Sequence, residues 1–159
     1  MNDKLLSIYL NDHLAGATAG VELAKRALSN NEGTAYGTFL TELVREIDAD
    51  RATLQELIKR LGFTEDRVKE TAAWIAEKIG RLKLNGQLMG YSPLSRLIEL
   101  EGLRLGVEGK LCLWRTLSDI ANQDSRLAVN DFDELIRRAE TQIDGLEKHR
   151  LEAANEALS

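Results

Sequence analysis

Four segments of this chain carry apolar residues at alternating spacings of three and four, the spacing of one face of an α-helix. They run from about Asp3 to Leu28, from Thr34 to Leu61, from Ser92 to Asn122, and from Asn130 almost to the end. A helix of this kind buries its apolar face only by packing against others of similar length. The sequence therefore predicts an all-α four-helix bundle that occupies residues 1–159 as one domain.

The composition favours helix and excludes several functional classes. The 159 residues include one proline, and the net charge of −5 argues against a nucleic-acid surface. No apolar run approaches the roughly 20 residues that a membrane span needs, and the first residues lack the pattern of a signal peptide. The single cysteine, Cys112, cannot form an internal disulfide. We therefore expect a soluble, cytoplasmic protein with no membrane and no nucleic acid among its partners.

Turn and capping residues mark the predicted helix ends. The segment from Ser29 to Gly33 is typical of a turn, and Gly62 is a natural stop for the second helix. Ser92 followed by Pro93 is a strong start signal for the third helix. Between them, a shorter helix is predicted from Thr64 to Gly80, and the residues from Arg81 to Tyr91 are predicted to be irregular.

The connection between the second and third long helices is about 30 residues. Neighbouring helices in bundles are usually joined by about 2–8 residues. A connection of this length allows the third helix to run parallel to the second. Two helical hairpins joined by one long crossover resemble the ferritin-like superfamily, and this resemblance of architecture covers most of the chain.

The ligand motif that the resemblance would bring is absent. Di-iron members use a Glu from each of two helices and a Glu-x-x-His from each of the other two. Here Glu46 is followed three residues later by Ala49, and Glu140 by Ile143. No cofactor is therefore expected, and the alternative is a carboxylate site for iron or manganese. Its ligands would be Asp12, Glu46, Asp50, Glu108 and Glu140.

Two aspartates lie on otherwise apolar predicted faces of the first and second helices. The face of the first helix contains Leu5, Tyr9, Asp12, Gly16, Ala19 and Leu23, and the face of the second contains Leu43, Ile47, Asp50, Leu54, Leu57 and Leu61. If the intervening turn is centred near Asn31, then Asp12 and Asp50 lie level and face each other inside the bundle. Ionising both of two close, buried carboxylates is energetically unfavourable. One of them must therefore be protonated, or a cation must lie between them. We favour a structural ion-pair or protonated-carboxylate network over a metal site.

The partners of this charge layer depend on the topology. In an up-down-up-down bundle, Arg150 and Glu101 would lie at the level of the two aspartates. In the crossover topology, Glu108, Glu140 and Asp144 would approach that level instead. The third helix also has two registers, and we favour the one that places Glu101 and Glu108 on a flank. Its buried residues would be Leu100, Leu103, Val107, Leu111, Trp114 and Leu117.

Glycines inside two of the helices need a physical reason, because each costs about 1 kcal/mol relative to alanine. They are Gly16 and Gly20 in the first helix and Gly102, Gly106 and Gly109 in the third. Glycines four residues apart let another backbone approach closely. We therefore predict close packing between helices, with room for a small ligand or a dimer contact as the alternatives.

The favoured function is that of a non-catalytic binding or structural protein. The first alternative is the metal-binding, redox-active carboxylate protein. The second is an adaptor that recognises a partner through the segment from Leu84 to Tyr91, with Arg81, Lys83 and Tyr91 as candidates for contact with an anionic partner. The connector also contains apolar residues that need burial, either against one end of the bundle or against a second subunit, and we predict a homodimer. These are Trp74, Ile75, Leu82, Leu84, Leu88 and Met89.

Overall fold

The computed structural model describes residues 2–65 and 90–159, and four long helices account for most of them. The helices are α1 (Asp3–Asn30), α2 (Ala35–Arg60), α3 (Pro93–Ala121) and α4 (Phe132–Leu158). No strand occurs in these two ranges. The prediction of an all-α four-helix bundle is therefore confirmed.

Several predictions for the connector lie outside the described residues. They include nearly all of the helix predicted from Thr64 to Gly80, together with Arg81 and Lys83. The apolar residues behind the homodimer prediction lie there too, so the homodimer stays a prediction. Within the described ranges, no helix combines the length and the apolar character needed to cross a membrane.

Capping residues fix the helix ends where the sequence indicates them. The side chains of Thr34 and Ser92 accept hydrogen bonds from backbone N–H groups in the first turns of α2 and α3. Gly62 ends α2 with a φ of +75°. The N–H groups of Gly62 and Phe63 then bond back to carbonyls in the last turn of α2. This Schellman arrangement requires the left-handed backbone that glycine adopts without strain.

Helix α1 extends two residues beyond the predicted end at Leu28. The buried side chain of Asn31 gives the reason, because its amide donates a hydrogen bond to the carbonyl of Ala27 at 2.8 Å. The backbone N–H of Asn31 also bonds to the carbonyl of Leu28. Ser29 and Asn30, which the sequence placed in a turn, are therefore helical.

Ion pairs near the helix ends establish the direction of each helix. Arg26 in α1 pairs with Glu99 near the start of α3 at 2.8 Å, and Asp3 at the opposite end of α1 pairs with Arg126, just after α3, at 2.9 Å. Helices α1 and α3 are therefore antiparallel. Because α1 also forms a hairpin with α2, helices α2 and α3 run parallel. They lie at opposite corners, since α1 contacts α2 and α3 while α4 contacts the same two helices. This is the crossover topology.

The core follows the predicted faces of α2 and α3. Residues at the predicted positions of α2 are buried, and the favoured register of α3 is confirmed. The predicted face of α1 is confirmed at Ala19 and Leu23, which are buried. It is wrong in the first half of the helix, where a second apolar stripe that contains Leu6, Leu10 and Leu14 is buried instead. Leu5, on the predicted face, is 62% exposed.

Candidate ligand-binding site

A cluster of charged and polar side chains is buried where α2, α3 and α4 meet. Asp50 of α2 is 1% exposed. Its Oδ2 lies 2.5 Å from Nζ of Lys110, and its Oδ1 lies 2.5 Å from Nη2 of Arg138. Lys110 Nζ also donates to Oε1 of Gln142, whose amide donates to Oε2 of Glu46 at 2.8 Å. We call these five residues the Asp50 cluster.

One carboxylate in the Asp50 cluster faces two cations at close range. Burial lowers the pKa of Lys110, and the adjacent Asp50 carboxylate opposes this effect by stabilising the ammonium form. The nearby guanidinium of Arg138 acts in the same direction as burial. Because arginine stays protonated in proteins, Lys110 is the cation that can lose a proton while Asp50 keeps a charged partner.

The predicted charge layer is wrong in all but one of its members. Asp12 is exposed, because the buried stripe of α1 lies on a different face. Arg150 and Glu101 approach each other at 3.5 Å, but both are partly exposed. Arg150 lies twelve residues after Arg138 in α4, which is about 18 Å along the helix axis, so it is distant from Asp50. Asp50 is therefore the member of this layer that the structure buries.

The other carboxylates of the predicted metal site have hydrogen-bonding or cationic partners. They pair as Glu46 with Gln142, Glu108 with Arg104, and Glu140 with Arg115. No group of three His, Cys, Asp or Glu side chains that could hold a metal ion occurs within residues 2–65 and 90–159. Beside Asp50, a carboxylate centre would need further acidic ligands, and these positions hold Lys110 and Arg138.

Tyr91, a predicted partner contact, belongs to a polar network at the end of the bundle. Its hydroxyl accepts a hydrogen bond from the amide of Asn31 at 2.8 Å and donates one to Oε2 of Glu99 at 3.0 Å. Glu99 is 6% exposed and pairs with Arg26. Burial raises the pKa of the Tyr91 phenol above its ordinary value. The hydroxyl of Tyr91 is therefore engaged within the chain and joins the end of α1 to the start of α3.

An apolar groove of about 450 Å³ lies between α1 and α3, with side chains of α2 at its base. The five glycines named above line it. A Cβ atom built on Gly16, Gly20, Gly106 or Gly109 would meet nothing within 4 Å, whereas one on Gly102 would lie 3.2 Å from Leu23. The prediction of close packing is therefore wrong at four of the five glycines, which leave space open between the helices.

A few polar groups interrupt the apolar lining of the groove. Asp50 and Lys110 connect its base to the Asp50 cluster. Trp114 also lines the groove and is 1% exposed. The indole Nε1 of Trp114 has no hydrogen-bond partner within the described part of the chain. A buried indole N–H usually has a partner, and Trp114 contributes the apolar surface of its ring to the groove.

His13 lines the groove beside the exposed Asp12. Its ring meets the ring of Tyr9 edge-on, with 4.6 Å between centroids. Burial lowers the pKa of His13, and the negative charge of Asp12 partly offsets this effect. The wall of the groove that α1 provides therefore favours a neutral imidazole.

The chain matches no protein-family model, and comparisons with curated proteins and with solved structures found no significant match.

Proposed function

We propose that this chain is a non-catalytic binding protein whose groove between α1 and α3 takes up a small, mainly apolar molecule. The open space beside Gly16, Gly20, Gly106 and Gly109 is the main support. Each of these glycines costs about 1 kcal/mol relative to alanine inside a helix, and a Cβ atom would fit at each one. Close packing gives no reason for these residues, whereas an open groove does.

The size and chemistry of the groove also support a small ligand. Ligand pockets usually enclose roughly 300–1,000 Å³, with apolar walls and a few polar groups that orient the ligand. The groove encloses about 450 Å³ and has Lys110 and Trp114 in its lining. Trp114 provides an apolar ring face, and the Lys110 side chain is a hydrogen-bond donor. A ligand with an apolar body and one acceptor atom would complement them.

The test is titration with N-phenyl-1-naphthylamine, a neutral apolar dye whose emission rises when it leaves water. We expect saturable binding to the wild-type chain, and about tenfold weaker binding to Gly106→Leu, because an isobutyl group would occupy the groove. Leu105→Gln is the matched control, since Leu105 is 69% exposed and is not among the lining residues. Absence of saturable binding, or equal affinity of Gly106→Leu and the wild type, would contradict the proposal.

At the level of architecture, we also propose a relationship with ferritin-like bundles. It is supported by the two hairpins, by the parallel α2 and α3 at opposite corners, and by the long connection between them. The iron or manganese alternative has less support, because Lys110 and Arg138 provide the positive charge beside Asp50. Metal analysis of protein expressed with added iron and manganese distinguishes the metal-free binding protein from the metal-binding alternative. Stoichiometric metal would favour the metal-binding alternative.

A further inference from the structure

We propose that Lys110 binds the ligand of the groove covalently, as a Schiff base with an aldehyde or ketone. This inference rests on the proposed function, because the groove must first admit the ligand. Lys110 is the lysine that lines the groove, and its side chain is 13% exposed. The side chains of Lys25 and Lys59 are 54% and 61% exposed. The amine of Lys110 therefore lies beside an apolar space where a carbonyl compound can be held against it.

The surroundings of Lys110 permit the neutral amine that a nucleophile requires. Arg138 lies beside the same carboxylate and stays charged when Lys110 loses its proton. Glu46, the other carboxylate of the Asp50 cluster, contacts the amide of Gln142 and is half-buried. From α1, Asp12 and His13 line the same groove. Burial lowers the pKa of Lys110, in agreement with this arrangement.

Asp50 is placed to move the protons of the reaction. Its Oδ2, 2.5 Å from Nζ of Lys110, can accept a proton from the ammonium group. The neutral amine then adds to the carbonyl carbon and forms a carbinolamine. Asp50 returns the proton to the hydroxyl group, which leaves as water while the C=N bond forms. The products are one protonated imine and one water, and the imine keeps its positive charge beside the Asp50 carboxylate.

The apolar groove defines the ligand class as an aldehyde or ketone on an apolar body. We would use 2-naphthaldehyde as the probe, with cyanoborohydride to reduce the imine to a stable secondary amine. Peptide mass spectrometry then locates the adduct. We expect labelling of Lys110 to be about tenfold faster than labelling of Lys25 or Lys59 at neutral pH. Excess N-phenyl-1-naphthylamine should slow the labelling of Lys110 and leave the two exposed lysines unchanged.

Lys110→Arg is the informative variant, because it keeps a cation beside Asp50 and removes the nucleophile. We expect it to give no fast adduct at position 110, while Lys25 and Lys59 are labelled as in the wild type. If wild-type Lys110 is not labelled faster than the exposed lysines while the dye binds in the groove, the Schiff-base inference is overturned and the proposed function stands. If the dye does not bind either, both proposals fail. Fast labelling that Gly106→Leu leaves unchanged would also overturn the inference.

Discussion

Nζ of Lys110 and Oδ2 of Asp50 lie 2.5 Å apart across the diagonal of the bundle. Helices α2 and α3 occupy opposite corners and share no extensive backbone contact of their own. The pair therefore joins two helices that are not neighbours in the bundle. Arg138 reaches the same carboxylate from α4, so three helices meet at Asp50.

Asp50→Asn should destabilise the protein more than Lys110→Met. Loss of the carboxylate leaves Lys110 and Arg138 facing each other without an anion, and we expect a cost of about 3–5 kcal/mol. Lys110→Met leaves Asp50 paired with Arg138, so its cost should be less than about half of that. Urea unfolding gives both values. Equal destabilisation by the two substitutions would contradict this account, and Arg150→Met, in an exposed pair, is the control.

Gly106→Ala should stabilise the protein by about 1 kcal/mol, because alanine favours the helix and the new Cβ meets no atom within 4 Å. Gly37→Ala should have the opposite effect. Its Cβ would lie 2.3 Å from the backbone oxygen of Asn31, so the backbone would have to move. Thermal unfolding of both variants checks the prediction. A stability loss at Gly106 would show that the helices pack more closely there than the structure has them.

The stability of the protein should depend on pH through His13. Burial lowers its pKa below the ordinary 6.5, so the unfolded chain binds more protons than the folded chain between the lowered value and 6.5. The contribution of His13 to the free energy of unfolding is fully present above that pH range. It is lost as the pH falls through the lowered pKa. Between about pH 7.5 and pH 5, the wild type should lose more stability than His13→Gln. Equal losses of unfolding free energy in the wild type and in His13→Gln, measured by urea unfolding, would contradict this prediction.

Asn31→Ala should cost about 1–3 kcal/mol, because it leaves buried polar groups without partners. The amide of Asn31 donates to Ala27 and Tyr91, and its oxygen accepts from Nε of Arg96 at 2.6 Å. Asn30→Ala is the matched control, since Asn30 is exposed in the same helical turn. Urea midpoints of the two variants give the comparison, and a similar effect at both positions would rule out this role for the network.

Local signals in the sequence predict the helices well, because capping and apolar spacing act within a few residues. Ser92 and Gly62 behave as their residue types require. The buried face of α2, which includes Asp50, is predicted by one clear apolar stripe in the sequence. Helix α1 has two such stripes, and the choice between them depends on neighbours that are distant in sequence. The exposure of Asp12 could therefore not be predicted from its own helix.

The partners of Asp50 were harder to predict, because they depend on the register between helices. One signal was available. Lys110 lies three residues after Val107 and four before Trp114, so it completes the repeat of the buried face of α3. A lysine at such a position indicates a buried counter-ion. Arg138 lies beside the buried Ala139 and offers no equivalent signal.

The crossover divides the chain into two helical hairpins, and buried charges of each hairpin are matched by charges of the other. Asp50 belongs to the first hairpin, whereas Lys110 and Arg138 belong to the second. The cross-hairpin pair of Arg26 with Glu99 has the reverse polarity. In these pairs, the buried charge of one hairpin is neutralised by the other hairpin. A shifted register would leave these charges unpaired, so the pairs specify how the two hairpins pack together.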